Sequence, residues 1–186
     1  MVTRSFLHQV QRSRDISSRK GLQAKRNGQS SEEVVDSTAK QLLSLGLAEI
    51  NKRYEPYKRV SSSNGSTAFK GVYLGKSGCD YEVFLRDGRA GHLEVKSREG
   101  ARIELSAIDP VQAAQLTRRV TWGQLAWVLV RLSGEWFLVS WPRFIADDQG
   151  QPYARKSHNA EQLKQIGFAL VEADGVLNLA DFWEQI

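Results

Sequence analysis

Cysteine is nearly absent from this sequence, which contains a single one, Cys79, among 186 residues. One thiol excludes an internal disulfide framework and a zinc site built from several cysteines. No apolar run approaches the roughly 20 residues that a membrane-crossing helix needs. The N-terminus also lacks the continuous apolar segment of a secretory signal. We therefore expect a cytoplasmic protein that makes no contact with a membrane.

The remaining composition is that of an ordinary globular protein, with 41% hydrophobic and 25% charged residues. A chain of this length is expected to fold as one domain with a substantial core. We place that domain at residues 28–186, after a first segment of different composition.

Basic charge is concentrated in that first segment, residues 1–27. It carries seven basic residues and one acidic residue, Asp15, which gives a net charge of +6. The net charge of the whole chain is +5, so the remaining residues carry −1. The seven are Arg4, Arg12, Arg14, Arg19, Lys20, Lys25 and Arg26. Little helical periodicity is present, so we expect a disordered arm that contacts the phosphate backbone of nucleic acid. A solubilising tail and an organelle-targeting segment are the alternatives.

The pattern of the remaining chain predicts an α/β domain with a mixed central sheet flanked by helices. A helix capped by Ser30 or Ser31 should end at Gly46 and bury Val35, Ala39, Leu42 and Leu43. The expected strands are 69–73, 80–85, 92–96, 126–132, 135–141 and 168–171, and the later helices are 111–120, 160–166 and 179–186. The sequence SSSNGS at 61–66 predicts a loop.

The chemistry is expected in the stretch CDYEVFLRDGRAGHLEVKS. Side chains alternate faces along a strand, so Glu94 and Lys96 share one face while Leu93 and Val95 point into the core. The turn at Asp87-Gly88 allows a hairpin that brings Asp80 beside Glu94. The alternative is a surface hairpin in which Glu94 and Lys96 form a solvated salt bridge.

Two neighbouring carboxylates repel each other unless a positive charge lies between them. A hard divalent cation such as Mg²⁺ fits this position, because it takes oxygen ligands and keeps several waters. Lys96 is suited to orienting water or stabilising a phosphate in a metal-assisted hydrolysis. The residues thus indicate a metal-dependent nuclease.

Several stretches in order resemble the PD-(D/E)xK nuclease superfamily, and more narrowly the RecU-type Holliday junction resolvases of Gram-positive bacteria and their phages. Gly28 with Glu32 is similar to the opening helix of that family, and SGCDYEVFL is similar to the strand that carries its aspartate. HLEVKS resembles its Glu-Ala-Lys core, Asp109-Pro110-Val111-Gln112 its glutamine-bearing helix, and GQLAWVLVRL followed by EWFLVSW its closing strands. The resemblance covers residues 28–144.

The resemblance implies a restriction-endonuclease-like core and a homodimer that cuts opposed strands of a four-way DNA junction in a bacterial or phage-infected cell. It implies that Asp80, Glu94 and Glu32 bind Mg²⁺ or Mn²⁺, and that Lys96 and Gln112 position water and phosphate. Glu33 replaces Glu32 if the helix register shifts by one. The chain departs from the family in a short region near SSSNGS, where the family has a stalk, and in Val111, where it has histidine.

Other residues have a plain structural alternative. Lys70, Lys76, Arg86, Arg89 and Arg98 flank the acidic pair and are candidate phosphate contacts, although each could equally be ordinary surface. Trp122, Trp127, Trp136 and Trp141 are expected in the core or a dimer interface rather than stacked on bases. His92 is expected to be structural and Cys79 inert. An endonuclease acting on other DNA structures or sites, and a non-catalytic nucleic-acid-binding protein, remain alternative functions.

Overall fold

The apolar run between Gln124 and Ser133 forms the central strand of a six-stranded sheet. The structure, a computed structural model, describes residues 30–54, 57–60, 70–73, 78–147 and 149–183. The predicted arm at 1–27, the predicted loop at 61–66 and Lys76 lie outside the described residues.

The helices are α1 (30–44), α2 (Pro110–Thr121), α3 (Trp141–Ile145), α4 (Ala160–Ile166) and α5 (Ala180–Trp183). The first strands are β1 (Ala48–Lys52), β2 (Tyr57–Val60), β3 (Lys70–Tyr73), β4 (Tyr81–Leu85), β5 (Ala90–Arg98) and β6 (Arg102–Glu104). The later strands are β7 (Leu125–Leu132), β8 (Glu135–Ser140), β9 (Ser157–Asn159), β10 (Phe168–Leu170), β11 (Glu172–Ala173) and β12 (Val176–Leu177). No helix in the described part of the chain is long and apolar enough to span a membrane.

The main sheet has the strand order β1-β4-β5-β7-β8-β10. Strands β5 and β7 pair in parallel, and the other neighbours pair antiparallel. The parallel pair requires a crossover, which α2 supplies between β5 and β7. The predicted mixed sheet with flanking helices is therefore confirmed.

Each face of the sheet has its own hydrophobic core. On one face, α1 and α5 cover Tyr81, Leu93 and Trp127. On the other face, α2, α3 and α4 cover Val128, Val130 and their neighbours. Because β5 alternates, Leu93 belongs to the first core, whereas Glu94 lies opposite Val128 on the second face.

The first helix differs from its prediction in the face that it buries. Val35 and Leu42 are buried as expected, but Leu43 is 60% exposed and Val34 is buried in its place. The buried face of α1 is therefore rotated about the helix axis relative to the predicted face, so that it includes Val34 and excludes Leu43. Gly46 ends the helix at φ +64°, a conformation that glycine adopts without strain, as predicted. The predicted last helix, 179–186, is present at Ala180–Trp183, and residues 184–186 lie outside the described residues.

Candidate active site

Strand β5 carries Glu94 and Lys96 on the face covered by α2. Glu94 is fully buried, and Lys96 keeps 21% of its side-chain area exposed. The Lys96 ammonium donates to Glu94 Oε1, so the two form a close ion pair. The alternative of a solvated surface salt bridge is wrong, because the carboxylate is sealed inside the domain.

Asp80 reaches the same place through the predicted hairpin. Strands β4 and β5 pair antiparallel with Tyr81 opposite Leu93, and Gly88 turns the chain at φ +88°. Asp80 precedes β4, and its Oδ2 accepts a hydrogen bond from the backbone N–H of Val95 at 2.9 Å. This contact fixes the aspartate beside Glu94.

The carboxylates of Asp80 and Glu94 repel each other. Burial, followed by the negative charge of Asp80, raises the pKa of Glu94 to about 8, and the positive charge of Lys96 opposes this shift. Glu94 Oε2 is buried and has no hydrogen-bond partner among the described residues. A buried acceptor next to a second carboxylate is an arrangement that a divalent cation would stabilise.

Gln112 joins this group from the first turn of α2. The helix begins with a capping box, in which the Asp109 side chain accepts from Gln112 N–H and Gln112 Oε1 accepts from Asp109 N–H at 3.1 Å; Asp109 also accepts from Val111 N–H. The same oxygen lies 3.3 Å from Lys96 Nζ, so Lys96 is held between Glu94 and Gln112. Only 8% of Gln112 is exposed.

Gln115 is a site residue whose role the sequence analysis missed. Its Oε1 accepts from the backbone N–H of Cys79 at 2.9 Å, immediately before Asp80. Gly78 makes room for this side chain, since a Cβ there would lie 1.5 Å from Gln115 Oε1. The three-residue spacing from Gln112, which puts both amides on one helix face, was the available signal.

Glu32 is not brought to the acidic pair in the structure. It is 53% exposed and forms an ion pair with Lys52 at 2.8 Å, on the side of the sheet covered by α1. Its neighbour Glu33 is exposed. Among the described residues, no three His, Cys, Asp or Glu side chains group as a metal site. A third carboxylate from α1 therefore stays a prediction.

The predicted phosphate contacts are only partly described. Arg98 and Arg86 are exposed, and Arg89 pairs with Asp87 at 2.6 Å. Lys70 lies in β3, where the backbone alone is described.

The remaining candidates behave mostly as structural residues. Cys79 is fully buried, and burial first, then the charge of Glu94, raises the pKa of its thiol to about 12. His92 is 5% exposed, and its pKa is lowered mainly by burial and then by the charge of Arg119. Trp127, Trp136 and Trp141 are buried as predicted, whereas Trp122 is 63% exposed and lies outside the core, so for it the predicted dimer interface stays a prediction.

The sequence profile of the family described as Recombination protein U matches residues 26–185, most of the chain. The chain belongs to the recombination protein U family. This is a family of Holliday junction resolvases, so the chain is a Holliday junction-resolving endonuclease. The resemblance to the recombination protein U family inferred from the motifs is therefore confirmed.

Solved structures similar to this recombination protein U family member include Archaeoglobus fulgidus Hjc, a Holliday junction resolvase from an archaeal hyperthermophile. The two chains share 15% sequence identity at a TM-score of 0.40, and the match covers 70% of this chain and 90% of Hjc. No curated protein sequence matches this chain.

Proposed function

We propose that this recombination protein U family member is a Mg²⁺-dependent (or Mn²⁺-dependent) endodeoxyribonuclease of the crossover junction type, acting as a homodimer. The observation that carries the proposal is the pair of half-buried Asp80 and fully buried Glu94, with one unpartnered oxygen on Glu94 and an adjoining lysine. Two adjacent carboxylates repel the phosphate backbone, so a protein that only binds nucleic acid gains nothing from this pair.

The residues fit a hard divalent cation. Mg²⁺ is bound in proteins by one or two carboxylates, with water and substrate phosphates filling the other positions. Asp80 and Glu94 supply those two carboxylates, and no third protein ligand is needed. When bound, the ion supplies Lewis acidity and lowers the pKa of a coordinated water.

Lys96 and Gln112 are placed to bind and orient the reacting phosphate. Lys96 is paired with Glu94, and its side chain is partly exposed, so its ammonium can meet a phosphate oxygen that gains charge during attack. Gln112 fixes the direction of that ammonium, because its own oxygen is anchored at the helix N-terminus. We assign Lys96 to charge stabilisation and Gln112 to positioning Lys96 and, as predicted, water or phosphate.

The test is cleavage of a synthetic four-way junction and a linear duplex of the same sequence, each with Mg²⁺ and with EDTA. Symmetric, Mg²⁺-dependent cuts on the junction alone are expected for the full-length chain. Lys96→Ala should abolish cutting while leaving junction binding, and Lys156→Ala, at an exposed surface lysine, should leave cutting unchanged. Equal cutting of both DNAs would indicate a nuclease for other structures, and binding without any cutting would indicate a non-catalytic protein.

The homodimer has its own measurement. Sedimentation of the free protein should give a mass near twice 20.9 kDa. Two cuts placed symmetrically across the junction should appear together, since each protomer supplies one active site. A monomer that makes single, unpaired cuts would refute this part of the proposal.

A further inference from the structure

A basic groove lies beside the active site, between α2 and the turn that leads into β4. It has a volume of about 600 Å³. Among the described residues that line it, three are arginines, Arg53, Arg118 and Arg119, and none is acidic. Gln115 and Gly78, which fix the turn before Asp80, form its floor near the acidic pair.

Some guanidinium nitrogens in this groove have no hydrogen-bond acceptor within reach. Arg119 Nε is buried without a hydrogen-bond partner among the described residues, and the buried Arg53 Nη1 has only the Glu82 carboxylate nearby, beyond hydrogen-bond distance. The ion pair of Arg53 with Glu82 is long, at 3.6 Å, and Arg119 reaches Gln124 only at 3.4 Å. Buried donors without partners are costly, so an anion with several acceptor oxygens would stabilise them.

Trp122, directly after α2, contacts two of these arginines. The guanidinium carbons of Arg118 and Arg119 lie 5.6 and 5.5 Å from its ring centroid, within the range of a cation–π contact. The indole itself is 63% exposed, an unusual position for so large an apolar group. An ordered pair of guanidiniums loses less side-chain entropy when it meets a phosphate.

The groove runs along the helix that carries the catalytic positioning residue. Arg119 is seven residues beyond Gln112 on α2, a rise of about 10 Å. That length corresponds to about three base-pair steps of duplex DNA at 3.4 Å each. A strand whose scissile phosphate lies at Asp80 and Glu94 would therefore pass its neighbouring phosphates over these arginines.

We infer that the groove of Arg53, Arg118 and Arg119 is a binding site for backbone phosphates of the cleaved strand, two to three nucleotides from the scissile bond. The inference rests on the proposed function, because it takes the acidic pair as the position of the scissile phosphate. Phosphate contacts of this type set the register of DNA and carry no sequence information.

Binding of a fluorescent four-way junction is measured by anisotropy in EDTA, over a series of salt concentrations, for Arg118→Gln, Arg119→Gln and Arg53→Gln. Each variant should bind about threefold to tenfold more weakly, and the slope of log K against log salt should be smaller by about 0.9. Arg143→Gln, which removes an exposed arginine of α3, is the matched control and should change neither quantity. Arg118 is exposed, so its substitution cannot fail through loss of the core.

Cutting separates this inference from the proposed function. If the wild-type chain cuts the junction but all three variants keep wild-type affinity and salt slope, the groove does not bind phosphate. Loss of affinity equal to that of Arg143→Gln would also overturn the inference. The wild-type chain could fail to cut the junction with any metal ion while only the groove variants bind the junction more weakly and with a smaller salt slope. That result would support the phosphate site and contradict the proposed catalysis.

Discussion

Gly78 tests how the active site is built, because its hydrogen atom occupies space that a methyl group would take from Gln115. In Gly78→Ala the new Cβ would lie 1.5 Å from Gln115 Oε1 and 2.5 Å from its Cδ. The glutamine would have to retreat by about 1.5 Å to reach even the 3.0 Å limit of real contacts. Its hydrogen bond to Cys79 N–H, now 2.9 Å long, would break.

Two costs add in this variant. The residue keeps φ near +96°, which costs a non-glycine residue about 1–2 kcal/mol. The buried Cys79 N–H loses its acceptor, which costs about 1–3 kcal/mol more. The turn before Asp80 also shifts, and displacement of a reacting group by about 1 Å can lower a rate about 100-fold.

Gly88→Ala is the matched control. Gly88 has a similar φ of +88°, but a Cβ there meets nothing within 4 Å. Urea unfolding should therefore show about 1–2 kcal/mol lost for Gly88→Ala and about 1–3 kcal/mol more for Gly78→Ala. Junction cutting at saturating Mg²⁺ should fall strongly in Gly78→Ala alone. Equal stability and equal cutting rates in the two variants would refute the role assigned to Gln115.

Four further outcomes are expected. Glu94→Gln should abolish cutting yet raise the unfolding free energy of the metal-free chain at pH 8 by about 1–3 kcal/mol. The sign follows because the raised pKa of Glu94 makes the folded chain lose stability as pH rises from about 4.5 to 8; an unchanged stability–pH curve would contradict it. Cys79 should resist iodoacetamide at pH 8 until the chain is unfolded, as mass spectrometry can follow, since its thiol is buried with a pKa of about 12. Deleting residues 1–27 should weaken junction binding and flatten its salt dependence without changing the cutting rate at saturation; an unaltered slope would remove the arm from DNA binding. Glu32→Gln should lower the unfolding free energy by at most about 1 kcal/mol. It should reduce Mg²⁺ affinity less than Asp80→Asn does, with Glu33→Gln as the control. A loss of Mg²⁺ affinity equal to that of Asp80→Asn would show that Glu32 is a metal ligand.

The central residues of the site could be predicted because their geometry is local. Alternation along β5 places Glu94 and Lys96 on one face whatever the rest of the fold does. Asp80 follows from a hairpin whose turn contains Gly88, so its partner is only a short distance along the chain. Gln112 depended on the family resemblance, and the capping box explains why its side chain lies inward.

What the sequence could not predict depends on packing between distant elements. The assignment of Glu32 to the metal stays a prediction; its helix covers the opposite face of the sheet, and no local pattern reveals which face a helix covers. Arg53 and Arg119 are separated by 66 positions and line one groove only because α2 lies beside the turn into β4. The burial of Val34 in place of Leu43 has the same origin, since a helix rotates until its neighbours are filled.

The most direct test of the account compares Mn²⁺ binding, measured by calorimetry, with junction cutting in the wild-type chain, Asp80→Asn and Lys96→Ala. Asp80 and Glu94 are assigned to the metal and Lys96 to the phosphate. We therefore predict that Asp80→Asn loses both metal binding and cutting, whereas Lys96→Ala loses cutting and still binds the ion. Wild-type metal affinity and cutting in Asp80→Asn would contradict the account.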